Sequence, residues 1–481
     1  MTDVAAPNRC QAPEGVARLL EPRPDRSLAA HVARWGPLPD SADLIAEADR
    51  SGLRGRGGAA FPTAVKLAAV ARGRRPVVVA NGTEGEPLSA KDKTLVVTAP
   101  HLVLDGVALA ARAVGAAEAI VCVERSATRV LGVLEGAIQE RRAARIDRVD
   151  VQVAATPSRY VVGEETALVH WLNGGDAKPT TVPPRPFERG VGGRPTLVQN
   201  VETLAHLALI ARFGADWFRS VGTPADPGTA LVSIGGGVER PGVYELGFGT
   251  SLVDALGAAG LPEGPLPPVL LGGYFGAWLD PAAAGGTTIG PEALRRQGQS
   301  LGSGVLWALP PDACGLAETA RVARWFADQS AGQCGPCVNG LPAMARAMEV
   351  LVDGRRTAAP ATTPTAPPGW SRARWRCSAP RLGGTPSGGR ARRRATPSCP
   401  FPWDGAGDED DRRGLDQVRG AGAVRRPVPR AHRPRRMGLP PDRRPPDHPR
   451  ARGPRPAGDR GLPDAGPDVP PGGAGCGMIP P

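Results

Sequence analysis

Residues 76–154 alternate two textures. The runs RPVVVAN, AEAIVCVE and RVDVQVAA are short, apolar and bounded by turn residues, which predicts strands. Between them, HLVLDGVALAARAVGA and the stretch from Ser126 to about Arg142 carry apolar side chains at helical spacing, with Val130, Leu131, Leu134 and Ile138 on one face. Strand, helix and strand in turn predict βαβ units and a parallel sheet. Asn200 to Arg212 reads as another amphipathic helix. From about 229 to 280 glycine splits short β runs (LVSIGGG, GVYELGFG, VLLGGYFG) around one helix, SLVDALGAAG, which predicts a second, smaller α+β part. GLAETARVARWFADQS and LPAMARAMEVLVD read as two helices joined by a cysteine-bearing loop. No internal repeat is visible.

Composition divides the chain. Residues 355–481 hold 25 Arg, no Lys and 11 acidic residues, whereas residues 1–354 hold 34 basic against 36 acidic residues, so the whole net charge of +12 comes from the tail. A near-neutral body excludes reading the protein as a basic nucleic-acid binder. The tail also carries 25 of the 54 prolines and only ten Ile, Leu, Val and Phe, too few to bury a core, so disorder is expected there. No stretch approaches the roughly 18 continuous apolar residues of a membrane span, and the N-terminus has no apolar signal core. A cytoplasmic location is the expectation.

Four segments carry candidate chemistry. SGLRGRGGAAFPTAVKL (51–67) sets Gly52, Gly55, Gly57 and Gly58 beside Arg54, Arg56 and Lys66, so that backbone N–H groups can approach a phosphate while cations balance it; a plain surface turn is the alternative. NGTEGEPLSAKDK (81–93) leaves the end of a strand, where α/β sheets place ligands, yet its acids Glu84 and Glu86 equally suit a solvated loop. YVVGEETALVHWLNGG (160–175) puts Glu164 and Glu165 after Gly163 at a helix start, as a cap or as a site, with Tyr160 packed nearby. His170 lies on an apolar helical face and reads as a packing histidine. SAGQCGPCVNG (330–340) carries Cys334 and Cys337 at C-x-x-C before a helix, which suits iron–sulfur or zinc ligation or a redox disulfide.

GLRGRGGAAFP, NGTEGEP, YVVGEETAL, RPTLVQNVETL and SAGQCGPC, in this order and at these separations, resemble the NADH-binding flavoprotein subunit of respiratory NADH:quinone oxidoreductase and its soluble diaphorase relatives. The resemblance runs over about residues 35–353. It implies a Rossmann-like FMN- and NADH-binding domain (1–225), a β-grasp domain of the soluble-ligand-binding type (226–300), and a truncated helical bundle for a [4Fe–4S] cluster (301–354), followed by the tail (355–481). The implied activity is an NADH:acceptor oxidoreductase that passes electrons from NADH through FMN to iron–sulfur centres. By motif, the flavin is assigned to Gly55, Gly57, Gly58, Lys66, Asn81, Gly163, Glu164 and Asn200, with Tyr160 a further cofactor-binding residue. Phe61, Glu86 and Glu165 face the dinucleotide, the two acids in the catalytic role, and Cys334 and Cys337 are the metal ligands. The implied partner is a ferredoxin or another iron–sulfur protein of the same assembly. A ferredoxin-linked flavoprotein running in the opposite direction, or a non-catalytic docking subunit, is the alternative reading.

The chain also departs from the pattern. Thr83 stands where the family has an aspartate expected to bond the flavin, Gln199 replaces the first asparagine of N-N-V-E-T, and Leu67, Ala68 and Ala69 replace aromatic residues after Lys66. Ala331 occupies the first cysteine of S-C-G-x-C-x-P-C.

The tail has a further signature. Met437-Gly438 requires ATG-GGN, so reading one base later gives the tryptophan codon TGG, and Met478-Ile479 shifted likewise gives the stop TGA. In that frame Leu415–Arg425 is compatible with D-W-T-R-C-E-G-R-G-L-C and residues 462–464 with C-P, a spacing similar to small ferredoxins of the [3Fe–4S] type. Residues 355–481 are therefore expected to be an out-of-frame translation, with the remaining cluster ligand lost to the shift and a ferredoxin encoded downstream.

Overall fold

A computed structural model describes residues 10–11, 18–20, 25–40 and 43–353, and the expectations for the tail, its disorder and its reading frame, lie outside these residues. Among the described residues the strands are β1 (Cys10–Gln11), β2 (Val77–Gly82), β3 (Glu118–Glu124), β4 (Asp150–Thr156), β5 (Thr196–Asn200), β6 (Thr229–Gly236), β7 (Gly242–Gly247), β8 (Val269–Leu271), β9 (Ala277–Leu279) and β10 (Val305–Ala308). They form two sheets.

The first sheet is four-stranded and parallel, in the order β4-β3-β2-β5. Its central strand β2 is buried on both sides, as parallel strands covered by helices must be. Alternation along the strand divides its side chains between two cores. Val78 and Ala80 pack with Leu102, Leu104, Leu204 and Leu207, whereas Val77 and Val79 pack with Val162, Leu168 and Val169. Each buried Val or Leu contributes about 2 kcal/mol of transfer free energy.

The helices along the chain are α1 (Leu28–Trp35), α2 (Leu44–Ser51), α3 (Thr63–Ala71), α4 (Lys91–Thr98), α5 (Pro100–Val114), α6 (Thr128–Ala143), α7 (Glu165–Leu172) and α8 (Val201–Arg219). The first core lies between the sheet and α5 and α8, and α7 lies over the other face. Gly106 permits the α5–α8 approach, since a Cβ there would fall 2.0 Å from the Leu204 carbonyl oxygen. α8 runs beyond the expected Arg212 by breaking at Gly214, whose φ is 87°.

The second sheet is mixed, in the order β1-β7-β6-β10-β8-β9. β6 and β7 form an antiparallel hairpin, and β6 lies parallel to β10 at the centre. Helix α9 (Leu252–Ala258) buries Leu252, Ala255 and Leu256 among Val232, Ile234, Leu246 and Leu306, and its start is capped by Ser251. Strand β10 lies past residue 300, where helices were expected to begin; a four-residue apolar run carries too little periodicity to declare itself. Short helices α10 (Pro281–Gly285) and α11 (Pro291–Arg296) precede it. Two last helices, α12 (Gly315–Asp328) and α13 (Leu341–Val352), pack together, with Arg324 bonded bidentately to Glu349 at 2.8 and 2.7 Å. Among the described residues no single helix is long and apolar enough to cross a membrane.

Candidate functional site

Parallel strands deliver their ligands at their carboxyl ends, because loops there open toward helix N-termini. In this molecule the ends of β2 and β5 carry Asn81 and Asn200, which are direct partners in the strand register. The Asn81 side chain donates to the Gly163 carbonyl at 2.9 Å, and its oxygen accepts from the Thr83 amide at 3.1 Å and from the Thr83 hydroxyl. Asn200 caps α8 through its side-chain oxygen, which accepts from the Glu202 amide at 3.0 Å, and it donates to Asp92 at 2.7 Å.

Glycine-bearing loops close on these two asparagines. A Cβ on Gly57 would stand 3.3 Å from the Asn200 Cβ, and one on Gly163 would stand 3.2 Å from the Thr83 carbonyl. Gly55 donates to the Phe61 carbonyl at 2.8 Å, which folds residues 55–61 into a tight turn, and Gly58 has φ of 105°. Phe61 is left 52% exposed at the rim, an aromatic face available to a flat ligand. Lys66, on α3, pairs with Glu165 and donates to the Val198 carbonyl at 2.8 Å. Gly55, Gly57, Gly58, Lys66, Asn81, Gly163, Glu164, Glu165 and Asn200 therefore surround one sheet edge.

Glu164 and Glu165 differ as adjacent residues at a helix start should. One Glu164 oxygen accepts from the amides of Thr166 and Ala167, both at 2.9 Å, so the capping reading holds for that oxygen. Glu165 turns instead to Lys66. Tyr160 begins the single tight turn that leads to Gly163, and its ring meets Trp325 and Phe326 edge-on at 5.1 and 5.4 Å.

Glu86 is set apart from the Lys66–Glu165 pair. Its carboxylate accepts from the amides of Tyr274 and Leu88, at 3.1 and 3.3 Å, beneath the loop that joins β8 to β9. Burial lifts its pKa to about 7 against the pull of those two amides. Glu84 is a structural acid, accepting from Ser89 at 2.6 Å and from the amides of Asp92 and Lys93 at the start of α4.

Sequence reasoning missed the charges beneath the cradle. Lys91, buried, donates to Asp92 and Glu202, both at 2.8 Å, and Glu202 accepts from the Leu231 amide at 2.8 Å, tying the two sheets. Burial opposes ionisation of Glu202, but Lys91, His206 and Arg56 together outweigh it and hold the carboxyl down to about 2, while burial raises Asp92. Arg56 is buried beside them and donates to the Thr229 carbonyl at 3.1 Å. KDK closes a segment that equally suited a solvated loop; the apolar LVV after Thr94 was the available signal that α4 is buried.

The cysteine loop lies against the Tyr160 side of the cradle. Gln333 donates to the Pro179 carbonyl at 2.9 Å and Gln329 accepts from the Tyr160 amide at 3.1 Å. The Cys334 and Cys337 sulfurs are 3.3 Å apart, and the bond with Cys334 is the largest influence lowering the Cys337 thiol. Of the other described cysteines, Cys122 is buried in β3 and Cys314 is exposed before α12. Among the described residues no group of three His, Cys, Asp or Glu side chains converges as a metal site.

Comparison with known proteins agrees with this division. Residues 48–209 match the family model of the Nuo51 FMN-binding domain, and residues 317–364 match that of the NADH-ubiquinone oxidoreductase-F iron-sulfur binding region. The F subunit of the Mycobacterium tuberculosis NADH-quinone oxidoreductase is 33% identical over 339 residues, covering 65% of this chain and 74% of that protein. The F 2 subunit of the Rhizobium meliloti NADH-quinone oxidoreductase is 32% identical, with 66% and 77% covered. The alpha subunit of the NAD-reducing hydrogenase HoxS of Cupriavidus necator is 33% identical over 318 residues, 63% of this chain and 51% of that one. The solved structure of an air-oxidized NAD+-reducing [NiFe]-hydrogenase superimposes with a TM-score of 0.62 at 33% identity, over 68% of this chain. This chain spans 57% of that hydrogenase chain.

Proposed function

Since the chain belongs to the family of NADH-quinone oxidoreductase F subunits, we propose that it is an NADH:acceptor oxidoreductase that passes electrons from NADH through FMN to an iron–sulfur acceptor. One observation carries this reading: Asn81 and Asn200 stand in register at the carboxyl ends of adjacent parallel strands, with the Gly57 and Gly163 backbones closed onto them. The donor set suits a flavin mononucleotide: side-chain amides, one ammonium, and loops that approach at glycine distance. FMN, when bound, supplies hydride acceptance and single-electron release.

The chain's own residues bind and orient. Gly55, Gly57 and Gly58 keep the 55–61 turn free of side chains on its ligand side, and Lys66 supplies the positive charge. Asn81, Gly163 and Asn200 fix the edge on which the ring system rests, and the second Glu164 oxygen is left for a ligand donor. Phe61 offers a stacking face to the dinucleotide. Glu165 sets the position of Lys66 and accepts hydrogen bonds at the nicotinamide end. Glu86, with its pKa near 7, accepts or donates a hydrogen bond to a sugar hydroxyl at neutral pH. Tyr160 closes the cradle on the side of α12.

The finer domain assignment belongs to the same proposal. The described residues between 25 and 225 form the Rossmann-like part, supported by the parallel sheet with helices on both faces, whereas β1, expected within it, pairs with β7 in the second sheet. Residues 226–300 with β10 form a β-grasp, supported by the path hairpin, helix, strand, and by the parallel central pair β6 and β10. Residues 315–353 form part of an iron–sulfur helical region. The family's groups include a [4Fe–4S] cluster, which takes four ligands. Cys334 and Cys337 supply two thiolates, and Ala331 supplies none. The described residues therefore do not fit a complete cluster. A ferredoxin or related iron–sulfur protein is the proposed acceptor. Anaerobic NADH added to FMN-loaded protein should bleach the bound flavin stoichiometrically and then reduce a one-electron acceptor; flavin that stays oxidised would overturn the reading.

A further inference from the structure

Two thiols that are too few for a cluster are still a complete reagent in another chemistry. Cys334 and Cys337 lie three residues apart on one helical turn, where the Val338 amide donates to the Cys334 carbonyl at 3.0 Å, so both side chains share a face. Their sulfurs stand 3.3 Å apart, and a disulfide needs about 2.05 Å, a closure that side-chain rotation within one turn can supply. Cys334 is exposed and Cys337 half-buried, so both can be reached from solvent. Cys10 lies in β1 of the second sheet, Cys122 is shut inside the parallel sheet and Cys314 lies beyond the other end of α12, and among the described residues no third His, Cys, Asp or Glu joins the pair to make a metal site.

The loop is also fastened to the cradle. Gln333 and Gln329 bond Pro179 and Tyr160, and the Tyr160 ring packs on Trp325 and Phe326, so the loop that carries the two thiols is tied to the turn that ends at Gly163, beside the candidate flavin site. We infer that Cys334 and Cys337 are a reversible dithiol–disulfide couple fed by the reduced flavin, an inference that rests on the FMN reading above. Opening the S–S bond takes two electrons and two protons and leaves two thiols; the reduced flavin has two of each to give and is oxidised in the exchange. Closing the bond returns the pair to oxidised flavin. The couple holds two electrons together at the position where the family keeps its one-electron cluster.

The experiment is differential alkylation of the full chain with peptide mapping by mass spectrometry, alongside iron analysis. After mild oxidation the peptide holding both cysteines should resist alkylation, and dithiothreitol should add two alkyl groups to it. NADH should do the same in FMN-loaded protein and fail in flavin-free protein. Cys334→Ser should leave Cys337 alkylated in every state, and neither Cys334→Ser nor Cys337→Ser should change the iron content. Iron lost in either variant, or a pair alkylated equally before and after reduction, overturns the couple. A disulfide opened by dithiothreitol but left closed while NADH bleaches the flavin overturns its feeding by flavin. Flavin that NADH does not bleach strikes the proposed function instead, and the dithiothreitol arm then decides the dithiol alone.

Discussion

The edge of the parallel sheet and the cysteine loop face each other across Tyr160, and they are built on opposite plans. At the carboxyl end of the sheet the polar groups are bonded to one another, half-buried Asn81 to Gly163 and Thr83 and half-buried Asn200 to Asp92 and Glu202, above a buried Lys91 bonded to Asp92 and Glu202. At the loop the thiols are open to solvent and the anchoring bonds come from two glutamines. A connected network of this kind holds a geometry for a ligand that must be oriented closely. An open turn with few bonds can change its covalent state without disturbing the core.

The largest expected effect separates the two plans by stability. Lys91→Met removes the ammonium shared by Asp92 and Glu202 and leaves buried carboxylates uncompensated, which should cost about 3–5 kcal/mol in urea unfolding. Arg324→Ala breaks the partly exposed pair with Glu349 on α12 and α13, and should cost about 1 kcal/mol or less. Equal losses in the two variants would erase the distinction.

The next effect is a pH dependence. Burial raises the folded-state pKa of Glu86 to about 7 from its ordinary value of 4.5. The fold therefore holds the protonated acid better than the unfolded chain does, and stability from this group is full below about pH 4.5 and is lost as pH rises to about 7. The shift corresponds to roughly 3 kcal/mol at most. Unfolding curves at a series of pH values should show wild type losing stability over that window and Glu86→Gln losing less; parallel curves would contradict the burial argument.

The smallest effect concerns the cradle's rim. Glu165→Gln weakens a half-open ion pair with Lys66 and should leave flavin content unchanged, while the NADH concentration at half-maximal acceptor reduction rises by about tenfold, or ~1.4 kcal/mol. Lost flavin with an unchanged NADH response would exchange the roles of Glu164 and Glu165.

What could be read from the sequence follows the same divide. The βαβ path was legible because β2 and β3 are short apolar runs bounded by turn residues and α5 and α6 carry apolar side chains at helical spacing. Strand β10 and the helices α1 to α3 were not legible, being short or mixed in pattern, and they are placed by contacts distant in sequence. The glycine loops, Asn81, Gly163 and Asn200 could be singled out through their motifs, and they do meet at one sheet edge. Their support could not. Lys91, Asp92 and Glu202 look like ordinary surface charges in sequence and Arg56 like a cation for a phosphate, and only tertiary packing from β6 and α8 buries them. For Glu164 the sequence left cap and site open, and the structure shows one of its oxygens taken by the helix start.

FMN titration of flavin-free protein, followed by quenching of flavin fluorescence in wild type and in Gly57→Val, tests the cradle most directly. A valine at Gly57 would set its Cβ 3.3 Å from the Asn200 Cβ and send branched methyl groups into the ligand side of the turn. The expected result is saturable one-to-one quenching in wild type and at least a hundredfold weaker binding in the variant, whose circular dichroism stays that of wild type. Equal affinity in the two proteins would contradict the placement of FMN at this sheet edge.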